Sequence, residues 1–72
     1  MQLDDWLIRA VRYDQQRRIL EVHLHAGGTY HDYEVPLDLA LRIVKSKQPG
    51  SVYRQEIMNG KFRFERVRLK PL

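Results

Sequence analysis

Apolar and polar residues alternate along Arg18 to Ala26 (RILEVHLHA): Leu20, Val22 and Leu24 share one parity, and Glu21, His23 and His25 the other. Such alternation predicts an antiparallel strand with one buried face and one wet face. Upstream, Trp6 to Tyr13 (WLIRAVRY) is rich in aromatic and branched side chains and predicts a first strand. Asp14 to Arg17 is a polar break between the two, with Asp at a favoured turn position. Downstream, Gly27-Gly28 predicts a hairpin, because both residues tolerate the positive φ of a type I′ turn. Thr29 to Val35 (TYHDYEV) then returns as a third strand.

A two-residue Gly27-Gly28 loop fixes a register that pairs Ala26 with Thr29, His25 with Tyr30, Leu24 with His31, His23 with Asp32 and Val22 with Tyr33. It turns Val22, Leu24, Tyr33 and Val35 inward, with His31 at the margin. Glu21, His23, His25, Tyr30, Asp32 and Glu34 then face outward. The opposite parity buries Asp32, which is costly without a partner, so the two-residue register is preferred. The loop of the first hairpin can hold two, three or four residues, which leaves the faces of Trp6 and Ile8 open.

After Pro36 the apolar period lengthens. Leu37, Ala40, Leu41 and Val44 follow helical spacing, so Pro36 to Lys47 predicts an amphipathic helix whose apolar stripe covers Leu20, Val22 and Leu24. Pro36 suits its first turn. Asp38 near the start and Lys45 and Lys47 near the end suit the macrodipole, and Asp38 and Arg42 form an i, i+4 pair. Gln48-Pro49-Gly50 ends the helix. Ser51 then caps a short second helix, Val52 to Met58, with Tyr53 and Ile57 on one stripe. Asn59-Gly60 is a turn, and Lys61 to Leu69 (KFRFERVRL) reads as a strand or an extended tail. The expected fold is α+β: a three-stranded antiparallel meander followed by two helices and a C-terminal extended segment.

The 72 residues make one domain, with a core over about residues 6–67 and a candidate mobile tail at 68–72. The absence of Cys excludes a disulfide framework, a thiol nucleophile and a Cys-ligated zinc. No apolar run approaches the ~20 residues that span a bilayer, so no membrane association is expected. The acidic start, Met1 to Asp5, is unlike a signal peptide, which gives a cytoplasmic expectation.

The net charge of +4 is unevenly distributed. Residues 1–38 carry −3 and residues 39–72 carry +7. Clustered cations attract phosphates, and exposed aromatic rings stack on unpaired bases. The candidate nucleic-acid residues are Tyr30, on the outer sheet face beside His25, with Arg42, Lys45, Lys47, Arg54, Lys61, Arg63, Arg66 and Arg68. The acids on the outer sheet face oppose this use, so the second half is the better surface. RNA is the expected nucleic-acid partner. The alternative is a protein-interaction or homodimerisation module with no nucleic-acid affinity, using sheet edges or the apolar residues of the last segment.

Other chemistry is less well supported. His23 and His25 share a strand face with Asp32 opposite, a set able to hold a metal, but no supporting partner is identifiable and no metal or cofactor is expected. Ser46 and Ser51 lie at helix boundaries where capping accounts for them, and no nucleophile or phosphate-loop motif is present. A non-enzymatic module is therefore expected.

The order of these pieces is itself a pattern. A strand ending in Tyr13-Asp14 is followed by Leu20-x-Val22-x-Leu24, a Gly-Gly turn, an aromatic run into Val35-Pro36, and a helix. Gly50-Ser51-x-Tyr53 then leads to Phe64-Glu65-Arg66-Val67. Over residues 6–67 this resembles the KTSC domain, a module found at the C-terminus of some lysyl-tRNA synthetases and as stand-alone bacterial proteins. The family's mark is Tyr-x-Tyr just before Val-Pro. Tyr30 matches the first Tyr, Asp32 stands at the second, and Tyr33 follows one place later. The resemblance implies the α+β fold, and RNA binding has been suggested for the family.

Overall fold

The computed structural model describes residues 2–68. Its elements run β1 (Ile8–Asp14), β2 (Ile19–Leu24), β3 (Thr29–Asp32), α1 (Leu37–Lys45), α2 (Pro49–Glu56) and β4 (Phe64–Val67). The strands form one antiparallel sheet in the order β1-β2-β3-β4, and both helices pack on one face of it. The fold is therefore α+β, but the sheet has four strands rather than three. The C-terminal segment pairs with β3, setting Tyr30 opposite Arg66 and Asp32 opposite Phe64. Residues 69–72, most of the expected tail, lie outside the described residues.

The core gathers Ile8, Val11, Leu20 and Val22 from the sheet, Val35 from the segment before α1, Leu39, Ala40 and Ile43 from α1, and Tyr53 and Ile57 around α2. A bulge between Ile8 and Ala10 explains how Ile8 and Val11, of opposite parity, both point inward. The first hairpin takes a four-residue loop, since Asp14 pairs with Ile19; Arg18 adopts φ 57° within it. Asp14 accepts the Arg17 amide there at 3.1 Å.

The second hairpin departs from the expected register. Gly27 N–H donates to the Leu24 carbonyl, and Leu24 N–H to the Gly28 carbonyl, each at 3.1 Å. His25 to Gly27 is thus a three-residue loop, with Gly27 at φ 101°. Pairing becomes Val22 with Tyr30 and Leu20 with Asp32, which reverses the parity of β3. Tyr30 and Asp32 face the helices, while Glu21, His23 and His31 face away. Asp32 tolerates this burial because its carboxylate is partnered: Tyr53 Oη donates to its Oδ2 at 2.8 Å.

Helix α1 is turned from the expected stripe. Leu39, Ala40 and Ile43 are buried, whereas Leu37 and Leu41 are each 40% exposed. The segment LDLALRIVK has apolar residues round much of its circumference, so spacing alone admits either face. Arg42 pairs with Glu56 on α2 at 3.3 Å. Helix α2 begins earlier than expected, with Pro49 in its first turn and Ser51 inside it. Asp5 supports that start from outside the helix: its carboxylate accepts Leu7 N–H and Ile8 N–H at 2.9 Å and Gly50 N–H at 3.0 Å. These bonds hold its carboxyl below the usual range, against the burial that acts to raise it.

Candidate nucleic-acid interface

Four positively charged or titratable side chains meet at the hairpin end of the sheet. Arg9, His23, Arg66 and Arg68 line a recess floored by Gly28, Thr29 and Val67. Each arrives for a local reason. Arg9 is the extra residue of the β1 bulge, His23 lies near the end of β2, and Arg66 and Arg68 lie on and just beyond β4. Gly28 permits the close approach. A Cβ there would stand 3.3 Å from both Arg66 Nε and a Tyr30 ring carbon, at a backbone φ of 99°.

Tyr30 joins this recess to a second one. It faces Arg66 across the β3–β4 pair, and its ring lies 6.2 Å from that of Phe64, tilted by 57°. Tyr30 and Phe64 line an apolar recess against Ile57 and Met58, with Asp32 and Tyr53 supplying the polar atoms. Phe64 is 63% exposed and Met58 54%. Guanidinium groups and accessible rings are therefore continuous across the β3–β4 ladder.

The acids opposing phosphate on the outer face are largely occupied. Asp32 has turned inward. Glu21, only 7% exposed, accepts His31 Nε2 at 2.8 Å and His23 Nε2 at 2.9 Å, with Arg12 at 3.4 Å. Burial acts to raise the Glu21 pKa, but the two histidine bonds and the Arg12 charge outweigh it and hold the carboxyl below its usual range. Glu65 accepts the Tyr33 hydroxyl at 3.1 Å. His25 lies in the turn and Asp32 on the other sheet face, so they do not join His23 in a metal-binding set.

The cations anticipated from sequence do not form one continuous patch. Arg66 and Arg68 converge; Tyr30 adjoins them from the helix-side face rather than the outer one. Arg54 lies over Trp6, 5.7 Å from the ring centroid, in a separate recess with Ser51 and Gln55. Arg63 stacks over Tyr33 at 4.5 Å. Arg42 is held by Glu56, while Lys45 ends α1 and Lys47 follows it. Lys61 is exposed in the turn before β4. Arg9 and His23 were not anticipated: Arg9 reads as one polar residue in a strand, and only the bulge and the β4 pairing carry it to the recess.

A four-stranded antiparallel sheet with two helices on one face, and with basic and aromatic groups at one end, defines a small α+β domain. The chain belongs to the KTSC domain family, whose model matches residues 6–62. Its fold is similar to that in the crystal structure of a KTSC domain protein from Yersinia pestis. That structure has a TM-score of 0.85 and 22% sequence identity, covering 93% of each chain. No curated protein matches the chain.

Proposed function

We propose that this protein is a non-enzymatic module that binds RNA through the basic recess of Arg9, His23, Arg66 and Arg68, with Tyr30 and Phe64 alongside. The observation that carries this reading is the convergence of three arginines on one recess with no acidic lining residue. Arg presents a planar fork of donors that matches phosphate oxygens in pairs. The neighbouring rings offer stacking surface to an unpaired base, which a purely electrostatic patch lacks. Together they favour single-stranded RNA over a duplex, whose bases are already stacked.

Titration of a fluorescent single-stranded RNA at two salt concentrations tests the reading. Binding that weakens as salt rises, and that Arg66→Glu weakens further, supports it. A second reading, a protein-interaction or dimerisation module, draws on the exposed Phe64 of the edge strand β4. Absence of RNA binding at low salt, together with a dimer in sedimentation that Phe64→Lys dissociates, favours it instead.

A further inference from the structure

We propose that the apolar recess between β3, β4 and the end of α2 takes a guanine base. The inference rests on the RNA reading, since the phosphates beside that base lie in the adjoining basic recess. The apolar recess has a volume of about 260 Å³. Tyr30 and Phe64 line it from the strands, Ile57 and Met58 from the other side, and Gly60 adds no side chain to obstruct it. Apolar walls that include two aromatic rings, with a few polar atoms, suit a planar base.

Selectivity comes from the polar atoms of Asp32 and Tyr53. Asp32 is 1% exposed yet lines the recess. Among the described residues, Tyr53 Oη is the side-chain donor to its carboxylate, at Oδ2, which leaves Oδ1 free to accept. The Tyr53 proton is committed to that bond, so its oxygen also offers only lone pairs. The floor therefore accepts hydrogen bonds and donates none. A base entering edge-first is favoured when its edge carries adjacent donors. Guanine does so with N1–H and the exocyclic N2 amine on its Watson–Crick edge. Adenine and cytosine set a donor beside an acceptor, and uracil sets one N–H between two carbonyls. Each of these turns a lone pair toward the carboxylate.

The position fits the proposed backbone site. Tyr30 borders the guanine recess, and its cross-strand partner Arg66 borders the basic one. A nucleotide spanning the β3–β4 ladder thus meets an acceptor floor at its base and guanidinium groups at its phosphate.

The test is anisotropy with nine-residue oligoadenylates carrying A, G, inosine, C or U at the centre, at low salt. The G oligomer is expected to bind about tenfold tighter than the all-A oligomer. Inosine, which keeps N1–H but lacks the amine, is expected between them. Asp32→Asn places an amide donor on the floor and should abolish the preference, so that the G oligomer binds no tighter than the all-A oligomer. Phe64→Ala, at an exposed site, should reduce the preference without touching the floor. Equal affinity for all five oligomers overturns the guanine inference and leaves the RNA reading standing. If no oligomer binds, the RNA reading falls. Guanosine alone, titrated by amide NMR, then decides the recess: shifts at Asp32, Tyr53 and Phe64 that adenosine does not cause support it, and none overturns it.

Discussion

The Tyr53 hydroxyl donates to Asp32 Oδ2 at 2.8 Å, tying α2 to β3 through the interior. This bond lets β3 turn an acidic residue toward the helices. Burial raises the Asp32 pKa, while the Tyr53 bond and the His31 charge oppose the rise. The same carboxylate, with burial, pushes the Tyr53 hydroxyl well above its usual range, so Tyr53 remains a donor.

The stability contribution of Asp32 follows from that direction. A carboxyl whose folded pKa is raised favours folding when protonated, and this contribution is lost as pH rises through the folded value. Asp32→Asn keeps an oxygen for Tyr53 and has no charge to bury. It is expected to match or exceed the wild type at pH 7, by up to about 1 kcal/mol in urea unfolding. Tyr53→Phe leaves the carboxylate without its donor and should cost about 1–3 kcal/mol. An Asp32→Asn protein less stable than Tyr53→Phe contradicts this account.

Glu21 and Asp5 act in the opposite direction. Both folded pKa values are lowered, so their stabilisation is present above the unfolded carboxyl value of about 4 and is lost as pH falls through the folded values. Urea midpoints measured from pH 6 to pH 3 should fall with acid. Glu21→Gln should flatten that fall and bring the two proteins closer together at pH 3. Parallel curves for the two proteins count against the histidine bonds as its cause.

Gly50 is expected to reject alanine. In an exposed helix position Gly→Ala stabilises by about 1 kcal/mol. Here the added Cβ would stand 2.5 Å from Asp5 Oδ2 and 2.9 Å from the Leu7 side chain. Gly50→Ala must displace the carboxylate that ties β1 to α2, and a loss of about 1–3 kcal/mol in thermal or urea unfolding is expected.

The arginines should separate by location. Arg9→Glu, Arg66→Glu and Arg68→Glu should each weaken RNA binding and lower the salt slope by about 1 where a phosphate contact is lost. Arg42→Glu breaks the pair with Glu56 rather than a recess contact and should change affinity less. Equal losses from all four indicate that overall charge, not the recess, attracts RNA.

Much of this architecture was legible along the chain. The alternation of β2 predicted its buried face, and Tyr53 with Ile57 predicted the core side of α2; Leu20, Val22, Tyr53 and Ile57 are all buried. The fourth strand was less legible because its inward residues, Phe64 and Arg66, border recesses rather than filling the core, so β4 lacks the usual alternation. The α1 stripe was ambiguous because apolar residues occupy several faces of that helix. Only part of the basic site was readable. Arg66 and Arg68 stood out by charge, but Arg9 lies more than fifty residues away and in the acidic half.

The sequence by itself determined the types and order of the first five elements and the family, because periodicity, turn residues and short spacings act over a few neighbours; that the last segment is a fourth strand was settled by its pairing with β3. Tertiary structure decided the parity of β3, the face of α1 and the membership of the recess. A glycine turn can close with two or three residues at similar local cost, and one residue of slip exchanges the two faces of a strand. Only a partner brought in from α2, the Tyr53 hydroxyl, made the parity that buries Asp32 acceptable.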